Sequence, residues 1–333
     1  MADSMKTHSG QGKTAAETIN WIKDTPLGIA VRRISFVAPH AHENMIEITM
    51  CLEGSITFDY CFEEFRLTEG EYILVDRDTH YMHSGNDALC VSFYIDLSKM
   101  TNRYSNVCNQ MFVCEGTSES EVPYNTPEHK QLRGMLIAVL DYLLKNDGTE
   151  EYFTEDISHV TEGIMDLIYY KFDYLYWKRP GQIINDKILK RMKEIVSYLF
   201  QHYTEKITLD DLAEHAGVST GYISALLSKN AIGFQQCLTY IRSWHAERLL
   251  LTTDMSIADI SAESGFSATK YMYFAFNFWY HCTPGEYRSK YLREMRKKNR
   301  LKEIPVVEAK EQIMHMTNEQ LILMYIKGED VWN

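Results

Sequence analysis

The feature that most constrains this chain is a segment near its C-terminus that occurs twice, 48 residues apart. Residues 208–219 align without a gap with residues 256–267, with Asp, Gly and Ser at matching positions. Each copy begins at a Thr or Ser suited to cap a helix, continues with an apolar helical pattern, turns at Gly217 or Gly265, and resumes after a capping Ser. This order predicts a helix-turn-helix that is present twice.

Two helix-turn-helix units in one chain can place their second helices in successive major grooves of DNA. We expect these second helices at about residues 220–229 and 268–280. Hydroxyl, amide and ammonium groups on their outward faces can contact base edges or phosphates. The predicted DNA-facing residues are Thr220, Gly221, Ser224 and Lys229 in the first unit, and Thr269, Lys270, Tyr273 and Asn277 in the second.

The distribution of charge agrees with a DNA-binding C-terminal part. The whole chain carries 34 Lys and Arg against 46 Asp and Glu, a net charge of −12, which is unusual for a protein that binds DNA. Residues 183–300, however, hold 16 basic against 12 acidic residues, while residues 1–182 hold 15 against 28. The basic excess therefore lies where the two units lie, as an electrostatic footprint on DNA requires.

The N-terminal part has the pattern of a β-rich domain. Short runs rich in β-branched and aromatic residues alternate with turn sequences such as Glu53-Gly54 and Thr68-Glu69-Gly70. Many short strands with regular turns favour an all-β sandwich or barrel. We expect strands at residues 29–34, 47–52, 55–60, 71–75 and 90–95.

Polar residues in and between these strands form a motif of their own. His40-Ala41-His42, followed by Glu47 and Gly54, resembles the first signature of cupin barrels, in which two imidazoles and a carboxylate point at one position. His80 lies near the end of a partial second signature, where His83 competes with it. One alternative is a divalent metal, since imidazole and carboxylate together suit Zn, Ni, Fe or Mn; the other is that these residues brace a loop. The predicted effector-binding residues, with no cofactor, are His40, His42, Glu47 and His80.

The second repeated unit and its sequel also carry a family resemblance. Residues 256–260, the turn Gly265-Phe266-Ser267 and the later run Thr283-Pro284-Gly285-Glu286-Tyr287-Arg288 resemble AraC/XylS-type transcription regulators. The resemblance covers about residues 186–295. It implies a cupin-like sensor domain that binds a small effector, a helical pair that forms a dimer interface, and a C-terminal DNA-binding domain.

The resemblance predicts an α+β multidomain fold, in which an N-terminal all-β cupin-like barrel with flanking helices precedes a C-terminal all-α tandem helix-turn-helix domain. Apolar residues at helical spacing predict two helices after the barrel, and the second, at residues 156–176, forms either a dimer seam or part of the chain's own core. In the tail, a capping box at Thr317 predicts the start of one more helix. The predicted parts are a flexible arm (1–24), an effector-binding barrel (25–126), a helical dimerisation segment (127–178), a linker (179–185), the DNA-binding domain (186–300) and a C-terminal extension with one helix (301–333).

Together these features predict a ligand-responsive, sequence-specific transcription regulator that senses a sugar or other small metabolite and is not an enzyme. Its predicted partners are double-stranded DNA, a small-molecule effector and a second copy of the chain in a homodimer, with RNA polymerase as a further candidate. No apolar run approaches the ~20 residues of a membrane span, so we expect no membrane contact and a cytoplasmic location. One alternative is a metal-dependent cupin enzyme with an appended domain. The other is a regulator that acts mainly through protein contacts, because family members commonly carry basic residues where this chain has Ala225, Ser228, Phe274 and Phe278.

Overall fold

The chain divides into a sheet region and a helical region. In the computed structural model the N-terminal part is built on one antiparallel sheet and the C-terminal part on helices, which confirms the predicted order of a β-rich part followed by a helical part. Most of the predicted arm and the whole predicted linker lie outside the described residues. The structure describes residues 19–60, 63–112, 114–118, 124–146, 153–172, 186–230 and 233–327.

Nine strands of the described chain form the sheet, and its central strand is β7 (His80–Asp96). One edge of β7 pairs with β2 (Leu27–His40). The other edge pairs first with β4 (Ser55–Tyr60) and then with β3 (Met45–Glu53), so β7 takes different partners along its length. Four of the five expected strands fall within observed strands, and the fifth, at residues 71–75, begins one residue before an observed strand, Tyr72–Val75. The remaining strands are β1 (Asn20–Trp21), β5 (Glu63–Thr68), β6 (Tyr72–Val75), β8 (Cys114–Gly116) and β9 (Arg300–Ile304).

The two faces of the sheet pack in different cores, because successive side chains of a strand point to opposite sides. Ile48 and Phe93 belong to a core that they share with helices α1 (Pro127–Lys145) and α2 (Phe153–Lys171). Cys51 and its cross-strand partner Cys90 belong to the core on the other face. The α-helices therefore cover one side of the sheet.

The apolar stripe of α2 lies inside the molecule. Ile157, Ile164 and Ile168 are buried in the core that α2 shares with the sheet. A dimer seam requires the same side chains to face a partner subunit. The described part of this stripe therefore packs within the chain, as the second of the two alternatives expects, because the sheet supplies an apolar surface for it. The dimerisation segment itself stays a prediction.

The helical region contains two similar helix pairs. After α3 (Asp186–His202), the first unit consists of α4 (Leu209–His215) and α5 (Thr220–Asn230), and the second unit of α7 (Ile257–Glu263) and α8 (Thr269–Trp279). Thr208 and Ser256 cap α4 and α7, each accepting a hydrogen bond from the backbone N–H three residues later. Gly217 and Gly265 make the turns at φ +63° and +78°, a left-handed conformation that favours glycine. The connecting helices are α6 (Phe234–Thr252) and α9 (Pro284–Met295).

The tail returns to the sheet region. Strand β9 pairs antiparallel with β2, placing Ile304 opposite Val31, and α10 (Lys310–Lys327) packs against α1. The predicted helix start at Thr317 is wrong, because Thr317 lies within α10 and its hydroxyl donates to the carbonyl of Ile313 at 2.9 Å. Burial of Ile313 and Met316 against α1 and the sheet starts the helix seven residues earlier than the local capping pattern suggests.

None of the helices within the described ranges combines the length and the apolar character that a membrane crossing requires.

Candidate effector site and nucleic-acid interface

Three histidines surround the carboxylate of Glu47, two of them from neighbouring strands and His42 from the loop between β2 and β3. The Oε2 atom of Glu47 lies 3.0 Å from Nε2 of His42, 3.2 Å from Nε2 of His80 and 3.4 Å from Nε2 of His40. His40 and His80 are cross-strand partners at the end of β2 and the start of β7, while Glu47 is in β3. We call this group the histidine cluster.

The second carboxylate oxygen of Glu47 is held from within the sheet. Oε1 accepts hydrogen bonds from Thr49 Oγ1 at 3.0 Å and from the Tyr94 hydroxyl at 3.2 Å. Arg32 in turn donates to the Tyr94 oxygen at 2.8 Å. These polar side chains are buried, so the carboxylate is fixed in position and its other oxygen is directed at the imidazoles.

The protonation states of the histidine cluster follow from burial and hydrogen bonding. Burial alone would raise the pKa of Glu47, but the hydrogen bonds with His40 and His42 and the charge of His80 hold that pKa well below its usual range. Burial and the neighbouring charge of His40 lower the pKa of His80, although Glu47 opposes this. The arrangement therefore favours an ionised Glu47 carboxylate.

Backbone carbonyls fix the tautomers of two imidazoles. Nδ1 of His40 lies 2.9 Å from the carbonyl of Ala38, and Nδ1 of His80 lies 3.2 Å from the carbonyl of Asp78. A carbonyl oxygen can only accept, so Nδ1 carries a proton. Nε2 then donates to Glu47 when the ring is doubly protonated and directs a lone pair at it when the ring is neutral. Metal-binding histidines are oriented in the same way.

His83, the competing candidate, lies away from this group. Its Nε2 is 3.5 Å from Oδ2 of Asp59, and its side chain is half-buried. Of the two candidates near the end of the second cupin signature, the structure thus brings His80 to Glu47.

A cavity of about 240 Å³ opens beside His42, between the sheet region and the helical region. Arg77 lines it from the sheet side, with its guanidinium carbon 4.7 Å and 5.0 Å from the ring centroids of Phe200 and Trp244. Burial and the charges of Arg248 and Arg77 lower the pKa of His245 to about 3, so this imidazole is neutral at pH 7. The walls contributed by the helical region are Phe200, Trp244, His245 and Arg248.

The segments that supply the histidine cluster also touch the helical region. Near His40, the backbone N–H of Ala38 donates to Oδ1 of Asn299 at 2.7 Å. Between His42 and Glu47, Glu43 forms an ion pair with Arg248. Beside His80, the backbone N–H of Thr79 donates to the buried carboxylate of Glu247 at 3.1 Å. Each of these three segments is therefore linked to the helical region within two residues of a histidine of the cluster.

The predicted DNA-facing residues lie on the second helices of the two units, with differing exposure. Gly221 and Ser224 on α5 and Lys270, Tyr273 and Asn277 on α8 are exposed. Thr220 and Thr269 begin their helices and are half-buried, and the hydroxyl of Thr220 donates to Asp210 at 2.5 Å. The side chain of Lys229 lies outside the described part of the chain.

The burial patterns of α5 and α8 match at an offset of 49 residues, because the second unit has one more residue before its second helix. Ala225 and Phe274 occupy one exposed position of this alignment, and Ser228 and Asn277 another. From sequence alone the aromatic run at residues 271–280 has two interpretations, core packing or a hydrophobic surface, and the structure buries Phe276 but exposes Phe274. The buried partners are Ile223 with Met272, Leu226 with Ala275, and Leu227 with Phe276.

Comparison with known proteins places the strongest similarity in this helical region. Residues 212–290 match the family described as a helix-turn-helix domain. The regulatory protein PocR of Salmonella typhimurium is 36% identical over 99 residues, which is 29% of this chain and 33% of PocR. An HTH-type transcriptional regulator of Staphylococcus aureus strain MRSA252 is 22% identical over 219 residues, or 65% of this chain. The chain spans 28% of the length of that relative.

A solved structure is similar over more of the chain. Wild-type ToxT from Vibrio cholerae strain SCE256, with a bound unsaturated fatty acid, covers 79% of this chain and 94% of its own, at 16% identity and a TM-score of 0.41.

Proposed function

We propose that the chain is an AraC-type, ligand-responsive, sequence-specific DNA-binding transcription regulator. The match of residues 212–290 to the helix-turn-helix family supports the family resemblance drawn from the sequence. The matched relatives are named as regulators, which favours this class over the alternative of a cupin enzyme. The effector, proposed to be a sugar or another small metabolite, occupies the cavity beside the histidine cluster.

The observation that carries this proposal is the position of the cavity. His42 belongs to the histidine cluster and also lines the cavity, and Trp244 and Arg248 of the helical region form the opposite wall. A molecule bound there contacts both regions at once. Ligands shift a conformational equilibrium only when they bind one arrangement more tightly, and a site shared by two regions meets that condition. The aromatic wall with a few polar groups is typical of small-molecule sites.

We further propose that the sheet region is a cupin-like barrel and that both helix pairs are helix-turn-helix units. Two features support the barrel: β7 changes partner from β4 to β3, and the histidine cluster forms on the residues of the cupin signature. The matched caps and turn glycines of the two units, and their matched burial, support the tandem arrangement.

A titration tests the effector site. A panel of monosaccharides and small organic acids is screened by the shift in thermal unfolding, and affinity for the best binder is then measured calorimetrically. We expect the double variant His40→Ala/His42→Ala to lose binding and the effector response, while its DNA binding persists because the two units are untouched. His83→Ala removes a half-buried imidazole outside the cluster and is the matched control. Unchanged affinity in the folded double variant would contradict the site, and loss of thermal stability without loss of affinity would indicate that the histidines brace the loop.

A second candidate for the same residues is a divalent metal. The ligand atoms of His40, Glu47 and His80 lie within 4.8 Å of one another, and the fixed Nδ1 protons leave Nε2 of His40 and His80 as lone-pair donors beside an anion. These residues fit such an ion and would hold it, with His42 beside them. A bound ion would supply a positive charge between the imidazoles and the carboxylate. Metal analysis of the purified protein and of Glu47→Gln tests this: one equivalent in the parent and less in the variant supports the metal, and absence from both after incubation with Zn²⁺, Ni²⁺, Fe²⁺ and Mn²⁺ contradicts it.

The homodimer, the contact with RNA polymerase, the cytoplasmic location and the domain boundaries stay predictions of the sequence.

A further inference from the structure

The outward face of α8 has an apolar residue at its centre. Met272, Ala275 and Phe276 are buried and therefore define the inward face of the helix. Lys270, Phe274 and Asn277 follow one another at spacings of four and three residues, which places them along one line on the opposite face. Whatever surface this face of α8 approaches is therefore met first by a lysine, a phenylalanine and an asparagine.

The apolar part of this face is large and exposed. Phe274 is 64% exposed, Phe278 is 54% exposed and Tyr271 is 45% exposed. Single exposed apolar residues are ordinary, but three rings on one side of a short helix form a patch of the kind that contacts another molecule. The matched position of the first unit carries Ala225, so the shared scaffold does not require an aromatic residue there.

The charge of this face fits DNA. The chain contains 46 Asp and Glu residues, yet none lies in α5 or α8, and Lys270 adds a positive charge beside Phe274. Absence of carboxylates from these two helices removes repulsion from phosphates. The patch is also continuous with Lys270, Tyr273 and Asn277, which lie on the helix that the helix-turn-helix assignment directs toward the groove.

We propose that Phe274, with Phe278 beside it, contacts the methyl groups of thymines in the major groove, so that the second unit selects thymine through an aromatic contact that the matched position of the first unit, Ala225, does not provide. This inference rests on the proposed DNA binding. Thymine alone presents a methyl group in the major groove, and apolar side chains, Phe among them, recognise it by contact. A phenyl ring offers no hydrogen bond to the other base edges. Family members commonly carry a basic residue at this position. Phe274 instead recognises the base by apolar contact.

Uracil substitution tests the proposal, because it removes the methyl group and keeps the charge and the base pairing of the duplex. The full-length protein first selects duplexes from a random pool, and a selected duplex is then synthesised with thymine or with deoxyuridine throughout. We expect the parent to bind the deoxyuridine duplex more weakly, by about fourfold for each contacted methyl group, since each is the size of one buried CH₂. The double variant Phe274→Ala/Phe278→Ala should bind the thymine duplex more weakly than the parent does and should bind both duplexes equally.

Val307→Ala is the matched control, because Val307 is also 64% exposed and lies outside both units. It should behave as the parent does on both duplexes. Both phenylalanines are exposed, so the double variant is expected to fold, and thermal unfolding checks this. The single variant Phe274→Ala replaces the double variant if it does not fold.

Equal binding of the two duplexes by the parent would overturn the proposal and point to a protein partner for the patch. A uracil effect that survives in the variant would also overturn it, because a change in DNA shape would then be the cause. A parent that selects no duplex would overturn the proposed function itself, and this inference with it.

Discussion

The two units of the helical region share a scaffold but not a surface. Their buried positions match one for one, whereas the exposed position that holds Ala225 in α5 holds Phe274 in α8, and Ser224 is replaced by Tyr273. Close packing constrains buried residues, while exposed residues differ according to what they contact. The comparison indicates that two units built alike are suited to contact DNA in different ways, small and polar in the first, aromatic in the second.

The units also differ in their attachment to the sheet region. The core of the second unit is continuous with the sheet through Phe36 and Tyr81, and the ring of Tyr81 meets that of Tyr291 at 5.7 Å. The core of the first unit includes Met111 from the N-terminal part. Phe36 lies in β2 and Tyr81 follows His80, so the strands that carry His40 and His80 contact the core of the second unit directly.

The largest expected effect is the difference in unfolding free energy between alanine variants of the two turn glycines. Alanine at either Gly217 or Gly265 costs about 1–2 kcal/mol because φ is positive. A Cβ at Gly265 would also lie 2.6 Å from the carbonyl oxygen of Tyr203 and 2.7 Å from Cα of Thr204, whereas nothing lies within 4 Å at Gly217. We expect Gly265→Ala to lose about 3 kcal/mol or more of unfolding free energy and Gly217→Ala about 1 kcal/mol. Urea unfolding measures both, and equal losses would contradict the closer packing of the second unit.

The next prediction concerns pH and the attachment of the second unit. Glu247 accepts hydrogen bonds from Thr79, Tyr280 and Tyr287, yet burial raises its pKa. A carboxyl group with a higher pKa in the folded state holds its proton more tightly when folded, so stability falls as pH rises from the ordinary Glu range through the raised pKa. Glu247→Gln should therefore gain stability relative to the parent as pH rises through this range, in thermal unfolding followed from about pH 4 to about pH 8.

Glu294 provides a control, because its contribution to stability changes with pH in the opposite direction. Burial opposes the shift, but Lys297 and Arg293 lower the pKa of Glu294, so its contribution to stability is lost as pH falls through that lowered pKa. Glu294→Gln should therefore become less stable relative to the parent as pH rises. If both variants follow the same slope, burial at Glu247 is not the cause.

Local patterns predicted most strands and helices, because periodicity depends only on neighbouring residues. The tail could not be predicted in this way, since β9 pairs with β2 more than 260 residues earlier in the chain. Thr317 shows the physical reason: its sequence context suits a helix start, but burial of Ile313 outweighs it.

The candidate site, too, could be predicted from the sequence only in part. The spacing within one sequence motif predicts that His40, His42 and Glu47 point at one position, and the structure brings them together with His80. The cavity wall from Trp244 to Arg248 had no sequence signal, because it depends on how two separately folded regions are placed against each other. The exposure of Phe274 was one of two interpretations of the aromatic run, and it is the observed burial of positions 272, 275 and 276 that leaves position 274 outward.

A smaller effect is expected on DNA affinity and its salt dependence when single residues of either unit are replaced. Lys270→Ala should weaken binding by about tenfold at ~0.1 M salt and lower the slope of log K against log salt by roughly 0.9, if the ammonium contacts a phosphate. Lys229→Ala should act similarly through the first unit. Ser224→Ala removes a neutral hydroxyl and should leave the slope unchanged. Fluorescence anisotropy at several salt concentrations measures all three, and identical slopes for parent and both lysine variants would show that neither lysine contacts phosphate.

The smallest expected difference lies in the caps. Asp211 N–H donates to Thr208 Oγ1 at 3.3 Å in the first unit, and Asp259 N–H donates to Ser256 Oγ at 3.2 Å in the second. Loss of an N-cap hydroxyl costs about 1 kcal/mol, so Thr208→Ala and Ser256→Ala should lose similar amounts of unfolding free energy, within ~0.5 kcal/mol of each other. In the first unit the Asp211 carboxylate also accepts from the Thr208 backbone N–H at 2.7 Å, a bond that alanine retains. Because that bond survives the substitution, the capping box at Thr208 should not make Thr208→Ala more destabilising than Ser256→Ala. A gap well above this range in urea unfolding would mean that the two units differ in their scaffold as well as in their surface.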